Sequence, residues 1–423
     1  MKTKAITIIL TLIAILAPTI LFPTNPYFLA YMPKNIVLLV GGALLLILLL
    51  ASYKDLKIDK KDILLIIFLL LIFISTLFSS NIKRSILGSI TRYEGLLMFL
   101  TYACIYLAAK NFFKYKNIKT FLNIMFYVSI AIGILGIVQN YYNTSEFDPF
   151  FSRGISGTFV NSNFFGSFIS IILPASMAIF VLNGNKKSFV LSLVMFFNMI
   201  SSGTRSAWVA FFVISIIGFV YLIKQKDKTF WKRGIIIFIS FIIIFTYLSS
   251  SFGSSTTLSK IENVKSDLSL LSDIPETGLS SKLGSNRMEI WFMTLKLIAQ
   301  KPILGCGTDN LALGLGLYCQ DDFINFAINH HLLVDKAHND FLHIAATNGI
   351  PALLIYLTFL GLILFSKIKT MFKDKKAFLF SLCIISYLVQ AFFNISTLGV
   401  APLFWMILGL SDNEYIEKGE NYE

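Results

Sequence analysis

The residues most able to do chemistry include four histidines near one apolar segment. They are the only histidines of the 423-residue chain and lie at His330, His331, His338 and His343. His338 is followed directly by Asn339. A histidine titrates near neutral pH and can accept a proton from a hydroxyl group. The same side chain could also be a hydrogen-bonded structural histidine, and the sequence leaves both interpretations open.

A zinc site is a second possibility for these histidines. His338 and His343 are five residues apart, which does not place them on one helix face as a four-residue spacing does. The acidic pair Asp321-Asp322 is typical of a solvated turn. We therefore expect no metal site.

Arg205 stands in the stretch SSGTRSAW, between two apolar segments with almost no loop between them. A guanidinium at such a position suits two-pronged binding of a lipid-borne phosphate. The alternative is an arginine that extends to the lipid headgroups without binding a specific ligand.

Arg287 begins the stretch NRMEIWFMTLKLIAQKP, which predicts an amphipathic helix along the membrane surface. Asn286 and Glu289 have the spacing of a capping box. The predicted apolar face contains Met288, Trp291, Phe292, Leu295 and Ile298. A cation in the first turn, beside free backbone N–H groups, indicates an anion site. The alternative is a solvated arginine.

Two further stretches carry polar residues beside apolar segments. NIKRSILGSITRYEGLL contains Arg92, and FSRGISGTFVNSN contains Arg153, Asn161 and Asn163. These residues are candidates for ligand binding, although turn chemistry alone would also explain them.

The composition indicates which elements must position these side chains. The chain is 56% apolar and only 14% charged, with a mean hydropathy of +0.74, whereas soluble domains are roughly a quarter charged. Each apolar segment must cross the membrane as a helix, because lipid offers the backbone no hydrogen-bond partners. This predicts an all-α polytopic membrane protein with about twelve transmembrane helices, at residues 5–22, 36–53, 63–80, 96–112, 121–142, 164–183, 188–201, 206–223, 235–252, 348–366, 377–394 and 400–410.

The distribution of positive charge predicts the orientation. With a cytoplasmic N-terminus, 23 of the 36 lysines and arginines fall on the inner side. The net charge of +13 therefore indicates topology, and no nucleic acid partner is expected. Both termini are predicted to be cytoplasmic and His338 to face outwards. We expect the first segment to remain as a span, because its removal as a signal peptide would leave an odd number of spans.

The domain organisation follows from these spans. Residues 1–252 hold transmembrane helices 1–9, and 253–347 form a large extracytoplasmic loop with the amphipathic helix and His338. Residues 348–410 hold helices 10–12, and 411–423 form a cytoplasmic tail. Cys306 and Cys319 share the outer loop, where a disulfide is permitted, but two separate thiols are equally compatible with the sequence.

Four stretches resemble the O-antigen ligase and O-antigen polymerase superfamily of bacterial membrane glycosyltransferases. They are GTFVNSNFFGSFISIILP, SSGTRSAW, SNRMEIWFMTLKLIAQKPILGCGTDN and AHNDFLHIAATNGIPALL. The family's His-Asn pair, followed by a glycine, matches His338, Asn339 and Gly349. Ala352 departs from the pattern, because the family usually has Gly, Thr or Tyr three residues after that glycine.

The resemblance implies a metal-independent glycosyltransferase of C-type fold, without a cofactor, in the bacterial inner membrane. Its donor would be a glycan on undecaprenyl pyrophosphate, and its acceptor a hydroxyl of a glycan, lipid or protein. Arg205 and Arg287 would bind the pyrophosphate, and His338 would activate the acceptor with inversion at the sugar. Arg92, Arg153, Asn161, Asn163 and Asn339 are possible donor- or acceptor-binding residues. Ligase and polymerase remain undecided.

A transporter or flippase for lipid-linked glycans is the alternative function. Transporters commonly contain internal repeats and polar breaks inside their spans. The sequence shows no repeated half, and its polar groups gather in loops on one face, which favours the enzyme. The first outer loop, 23–35, also contains no Asp or Glu, unlike that of metal-dependent C-type transferases.

Overall fold

A computed structural model describes residues 2–20, 31–142, 155–250 and 286–417. Within these ranges every element of regular secondary structure is a helix. The helices at the twelve predicted spans are α1 Lys2–Thr19, α2 Met32–Ala51, α3 Lys60–Leu77, α5 Leu96–Phe112, α6 Ile118–Tyr141, α7 Ser162–Asn183, α8 Lys186–Ser202, α9 Arg205–Gln225, α10 Lys228–Ser249, α15 Ile350–Thr370, α16 Lys375–Phe392 and α17 Ala401–Ser411.

The remaining helices are shorter than most of the spans and lie between or after them. They are α4 Ile82–Leu87, α11 Arg287–Gln300, α12 Leu311–Tyr318, α13 Gln320–His330, α14 Asp340–Asn348 and α18 Glu414–Glu417. By length and apolar composition alone, eight helices in the described ranges can cross a membrane. These findings confirm an all-α polytopic membrane protein.

Several long helices begin at Asp or Asn residues that cap them. Asp59 forms a full capping box with Asp62 at the start of α3, and Asn185, Asp227 and Asp374 cap α8, α10 and α16. Their side-chain oxygens accept hydrogen bonds from backbone N–H groups that the helix leaves unpaired. The boundaries of these spans are therefore encoded locally, by a polar cap followed by an apolar run.

Helix α17 has only 11 residues but forms the centre of the bundle. The side chains of Phe404, Trp405 and Met406 are almost fully buried. The Trp405 ring stacks on Tyr102 of α5 and Phe359 of α15, with centroid distances of 6.0 and 5.9 Å. A helix that is apolar all round is stable only when it is surrounded by other elements.

Helix α5 runs between two charged ends of the bundle. Near its C-terminus the Lys110 ammonium lies 2.7 Å from Asp62, 3.0 Å from Asp59 and 3.0 Å from Asp412. We call this the Lys110 end. The helix begins beside Glu94, at the opposite end, where the candidate site lies; we call that the His338 end.

Helices α11 to α14 pack together at the His338 end around a small apolar core that includes Leu297, Leu315 and Phe326. Backbone hydrogen bonds from Cys306 to Ala346, from Gly307 to Thr347 and from Ile350 to Pro302 join residues 302–307 to the end of α14. Cys306 and Cys319 are separate free thiols. This packing holds residues 305–310 against the polar side of α14.

Helix α11 forms where the sequence predicts it, but the predicted capping box is wrong. Asn286 has a left-handed backbone and makes no cap, because its side chain bonds His330 Nδ1 at 3.0 Å. Glu289 also bonds His330, at 2.9 Å from Nε2. On the predicted apolar face, Ile298 is buried within the protein, while Phe292 and Leu295 are exposed. Tertiary contacts with α13 therefore override the local capping pattern.

We predict that Gly349→Ala destabilises the junction between α14 and α15. Gly349 has φ +90 and ψ 162, and an added Cβ would lie 1.9 Å from the carbonyl oxygen of Ile303. That backbone region alone costs non-glycine residues about 1–3 kcal/mol. Thermal unfolding in detergent should show a clearly lower midpoint. Gly361→Ala in α15 is the matched control, because a Cβ there meets open space, and equal midpoints for both variants would contradict the prediction.

Candidate active site

His338 lies in the loop between α13 and α14, immediately before the N-cap of α14. Its backbone is left-handed, with φ +50, a conformation uncommon for a residue with a side chain. Its Nδ1 atom is buried and has no hydrogen-bond partner within the described ranges. The loop therefore carries a half-buried imidazole whose buried Nδ1 atom is unpaired within the described ranges.

The surroundings of His338 keep its ring neutral at pH 7. Burial lowers the pKa of His338 to about 4, and the positive charges of Arg287 and Arg92 lower it further, against an opposing effect of Asp335. A neutral imidazole can accept a proton, whereas an imidazolium cannot. The electrostatics place His338 beside two of the arginines that the sequence singled out.

Arg205 and Arg287 occupy equivalent positions in two helices. Each is the first residue of its helix, α9 and α11, and neither N-cap residue makes a side-chain cap. The hydroxyl of Thr204, which would cap α9, instead donates to the carbonyl of Ser162 at 2.8 Å. The positive ends of both helix dipoles therefore add to the charge of the two guanidiniums.

The two guanidiniums are close enough to influence each other. Burial lowers the pKa of Arg287 to about 10, and the positive charge of Arg205 contributes to the shift. No carboxylate among the described residues forms an ion pair with Arg287. Half-buried, like-charged groups of this kind are stabilised when an anion binds between them.

Arg92 lies beside the same site, but its charge is compensated. Its Nε donates to Asp335 at 2.8 Å, and its guanidinium lies 5.5 Å from the ring centroid of Phe164. The arginine therefore attaches the His338 loop to the start of α7. Its positive charge also acts on His338.

The asparagines have local structural roles. Asn161 caps α7 by accepting from the N–H of Asn163 at 2.8 Å, and Asn339 caps α14 by accepting from Leu342 at 3.0 Å. The carbonyl of Asn163 accepts from Asn394 at 2.9 Å. Arg153 lies outside the described residues.

A buried charged network beneath His338 was missed by the sequence analysis. The Lys336 ammonium lies 2.9 Å from Asp309, 3.3 Å from Glu94 and 3.2 Å from His343 Nε2. Glu94 also accepts from the hydroxyls of Tyr102 and Ser396, at 3.1 and 2.6 Å. The only sequence signal was that Glu94 is the single acidic residue of its loop, 81–95.

Asp340 extends this network. Burial raises the pKa of Asp340 to about 7, the negative charge of Glu94 raises it further, and Lys336 opposes both. Burial likewise lowers the pKa of His343 well below its usual value, with Lys336 as the next contribution. The described residues contain no group of three His, Cys, Asp or Glu side chains that could hold a metal ion.

An apolar cavity of about 480 Å³ lies along the helix that begins with Arg205. Its walls come from α7, α9, α10 and α16, and include Pro174, Phe211, Phe241 and Leu382. The first α9 residue that lines it is Phe211, in the second turn after Arg205. A cationic helix start and an apolar cavity on the same helix are the two surfaces that a charged lipid requires.

Together, the fold and the site define an all-helical, multi-pass membrane protein in which Arg287 interacts electrostatically with both Arg205 and a neutral histidine, His338. The family model described as O-antigen ligase matches residues 190–357. This range includes Arg205, Arg287, His338, Asn339 and Gly349. The match supports membership of the O-antigen ligase and polymerase superfamily, as the four sequence stretches indicated. A comparison with curated proteins finds no match.

We predict that Arg287→Gln raises the pKa of His338. The neutral side chain removes a positive charge that disfavours the imidazolium, so protonation becomes easier. The pKa can be followed by NMR of histidine-labelled protein, because the chain has only four histidines. Lys296→Gln is the control, since Lys296 is exposed and pairs with Asp322. An unchanged His338 titration in Arg287→Gln would show that the two groups are not coupled.

Proposed function

We propose that the protein is a metal-independent, inverting glycosyltransferase. It transfers or polymerises glycan units from undecaprenyl pyrophosphate onto an acceptor hydroxyl at the outer face of the bacterial inner membrane. The observation that carries this proposal is the placement of Arg287, which begins an uncapped helix and is close enough to interact with both Arg205, at a second uncapped helix start, and a neutral His338. The family match supports the same class of enzyme.

In this proposal the two arginines bind the pyrophosphate of the donor. As the glycosidic bond breaks, the bonding electrons move to the pyrophosphate and negative charge accumulates on its oxygens. Fixed cations and helix N-termini stabilise that charge without reorganising during the reaction. Arg287 is suited to this role because no described carboxylate neutralises it.

His338 takes the proton of the acceptor hydroxyl. The oxygen attacks the anomeric carbon from the face opposite the pyrophosphate, so the sugar configuration inverts. The imidazole is a weak base while Arg287 and Arg92 face it. A bound pyrophosphate compensates the arginine charges and thereby raises the basicity of the ring. The acceptor is thus activated most strongly when the donor is present.

The apolar cavity supports a lipid-borne donor. It lies on α9, below Arg205, and its lining is almost entirely apolar. A polyprenyl chain attached to the pyrophosphate would lie against this surface while the charged group remains at the helix start. The positive-charge distribution supports an orientation with the Lys110 end in the cytoplasm and the His338 end outside.

A ligase and a polymerase would use this same site. Both displace the pyrophosphate with a hydroxyl, and they differ in whether that hydroxyl belongs to a finished acceptor or to another lipid-linked repeat. Product analysis with both kinds of acceptor separates them.

We predict that purified protein transfers glycan from a synthetic undecaprenyl-pyrophosphate donor in the presence of EDTA. His338→Ala should lower the rate by about 100-fold or more, because a general base typically accelerates a reaction by roughly 100-fold to 10,000-fold. Arg205→Ala and Arg287→Ala should each cost ~1.5–3 kcal/mol, or roughly tenfold to a hundredfold in rate. NMR of the product linkage gives the stereochemistry.

Lys83→Ala provides the control, because Lys83 is an exposed cation at the same end of the bundle. Unchanged turnover in His338→Ala would exclude the base role. A loss below twofold in both arginine variants would place the pyrophosphate elsewhere. Retention of configuration would exclude a single displacement.

A further inference from the structure

The loop that carries His338 has almost no backbone support. Residues 332–338 make no backbone–backbone hydrogen bond within the described ranges. Loops of this kind are ordinarily mobile unless side chains attach them to the scaffold. The left-handed backbone of His338 adds a conformation that the surroundings must enforce.

Side chains on both sides of His338 supply the missing support. Asp335 bonds Arg92, and Asn339 caps α14. Between them, Lys336 is only 2% exposed and contacts groups from three parts of the chain. Its partners are Glu94 before α5, Asp309 before α12, and His343 on α14.

The two carboxylate partners are themselves fixed. Asp309 accepts from the backbone N–H of Ser89 at 2.6 Å, and its own backbone carbonyl accepts from Arg84 at 3.0 Å. Glu94 is bonded to Tyr102 of α5 and to Ser396. A single ammonium therefore links the His338 loop to a rigid part of the bundle through two buried carboxylates.

The hydrogen bond between Lys336 and His343 also orients Lys336 relative to α14. An ammonium has only donors, so His343 Nε2 must accept and the ring carries its proton on Nδ1. That requirement fixes Lys336 relative to α14, whose first turn follows His338 directly. Loss of the ammonium would remove the attachment closest to His338 on its N-terminal side except for the Asp335–Arg92 pair, and would leave two carboxylates buried without their cation.

We propose that Lys336 is a positioning residue, which holds the loop so that His338 stays beside Arg287. The inference rests on the proposed glycosyltransferase function for its kinetic consequences only. The attachment itself concerns the folded protein and can be measured without turnover.

The activity-independent test measures the modification of each histidine by diethyl pyrocarbonate, with mass spectrometry. His331 is exposed, whereas His338 is half-buried, so His331 serves as the internal reference. We expect Lys336→Met to raise the modification rate of His338 relative to His331 at least severalfold. Lys296→Met is the matched control, because it removes an exposed lysine–carboxylate pair from the same segment. An unchanged rate ratio in folded Lys336→Met protein would overturn the proposal.

If Lys336→Met does not yield folded protein, the triple variant Lys336→Met, Glu94→Gln, Asp309→Asn removes the unpaired charge together with the attachment. Burial of an amide is far less costly than burial of an unpaired carboxylate. The same increase in His338 modification is expected in the triple variant. An unchanged ratio there would equally overturn the positioning role.

The kinetic test separates positioning from a purely structural effect. A misplacement of about 1 Å can cost on the order of 100-fold in rate, so we expect kcat to fall by about that factor while KM for the donor stays within twofold. A structural role alone would reduce the active fraction but leave kcat per folded molecule unchanged, which would contradict the proposal. If wild type and Lys296→Met both lack transferase activity, the proposed function fails, whereas the modification ratio still tests the attachment.

Discussion

Burying a charge away from water costs several kcal/mol unless a partner compensates it, and the His338 end of this protein is organised around that cost. Lys336 lies between Asp309 and Glu94, and Arg92 lies against Asp335. These cations are satisfied within the protein and contribute to the scaffold. Arg287 differs from them, because its charge is half-buried and no described carboxylate neutralises it. The distinction between compensated and uncompensated cations separates the residues that support the site from those suited to bind a ligand.

The helix N-termini likewise divide into those that are capped within the protein and those that are not. Asp59, Asn185, Asp227 and Asp374 cap α3, α8, α10 and α16, so these helix starts are already satisfied. Thr204 and Asn286 stand at the corresponding positions of α9 and α11, but their side chains bond Ser162 and His330 instead. Because neither side chain caps its helix, the positive ends of both helix dipoles can act on a group bound beside Arg205 and Arg287. An anion there gains from both the helix ends and the guanidiniums.

The sequence predicted the spans because long apolar runs have few alternatives to a membrane helix. It also identified Arg205, Arg287 and His338 as candidates, since charge beside an apolar segment is costly and therefore informative. It failed at Asn286, where a pattern typical of a capping box was overridden by a contact with His330, 44 residues further along the chain. It also missed Lys336 and Asp309, because their pairing depends on loops that lie 242 and 220 residues from their partners Glu94 and Ser89. Local patterns predict helices, whereas buried ion pairs between distant loops become visible only once the helices are packed.

The neutral state of His338 has a consequence for the order of events in the proposed reaction. If the imidazole took a proton before the donor was bound, it would become a third positive charge beside Arg287 and Arg92, in a partly desolvated site. With a pyrophosphate in place, the same proton transfer creates a cation next to a dianion, which is favourable. The arrangement therefore couples activation of the acceptor to occupancy by the donor. Because the coupling operates through electrostatics at fixed positions, it requires the loop of His338 to stay in place, and Lys336 is the residue with the contacts to hold it there.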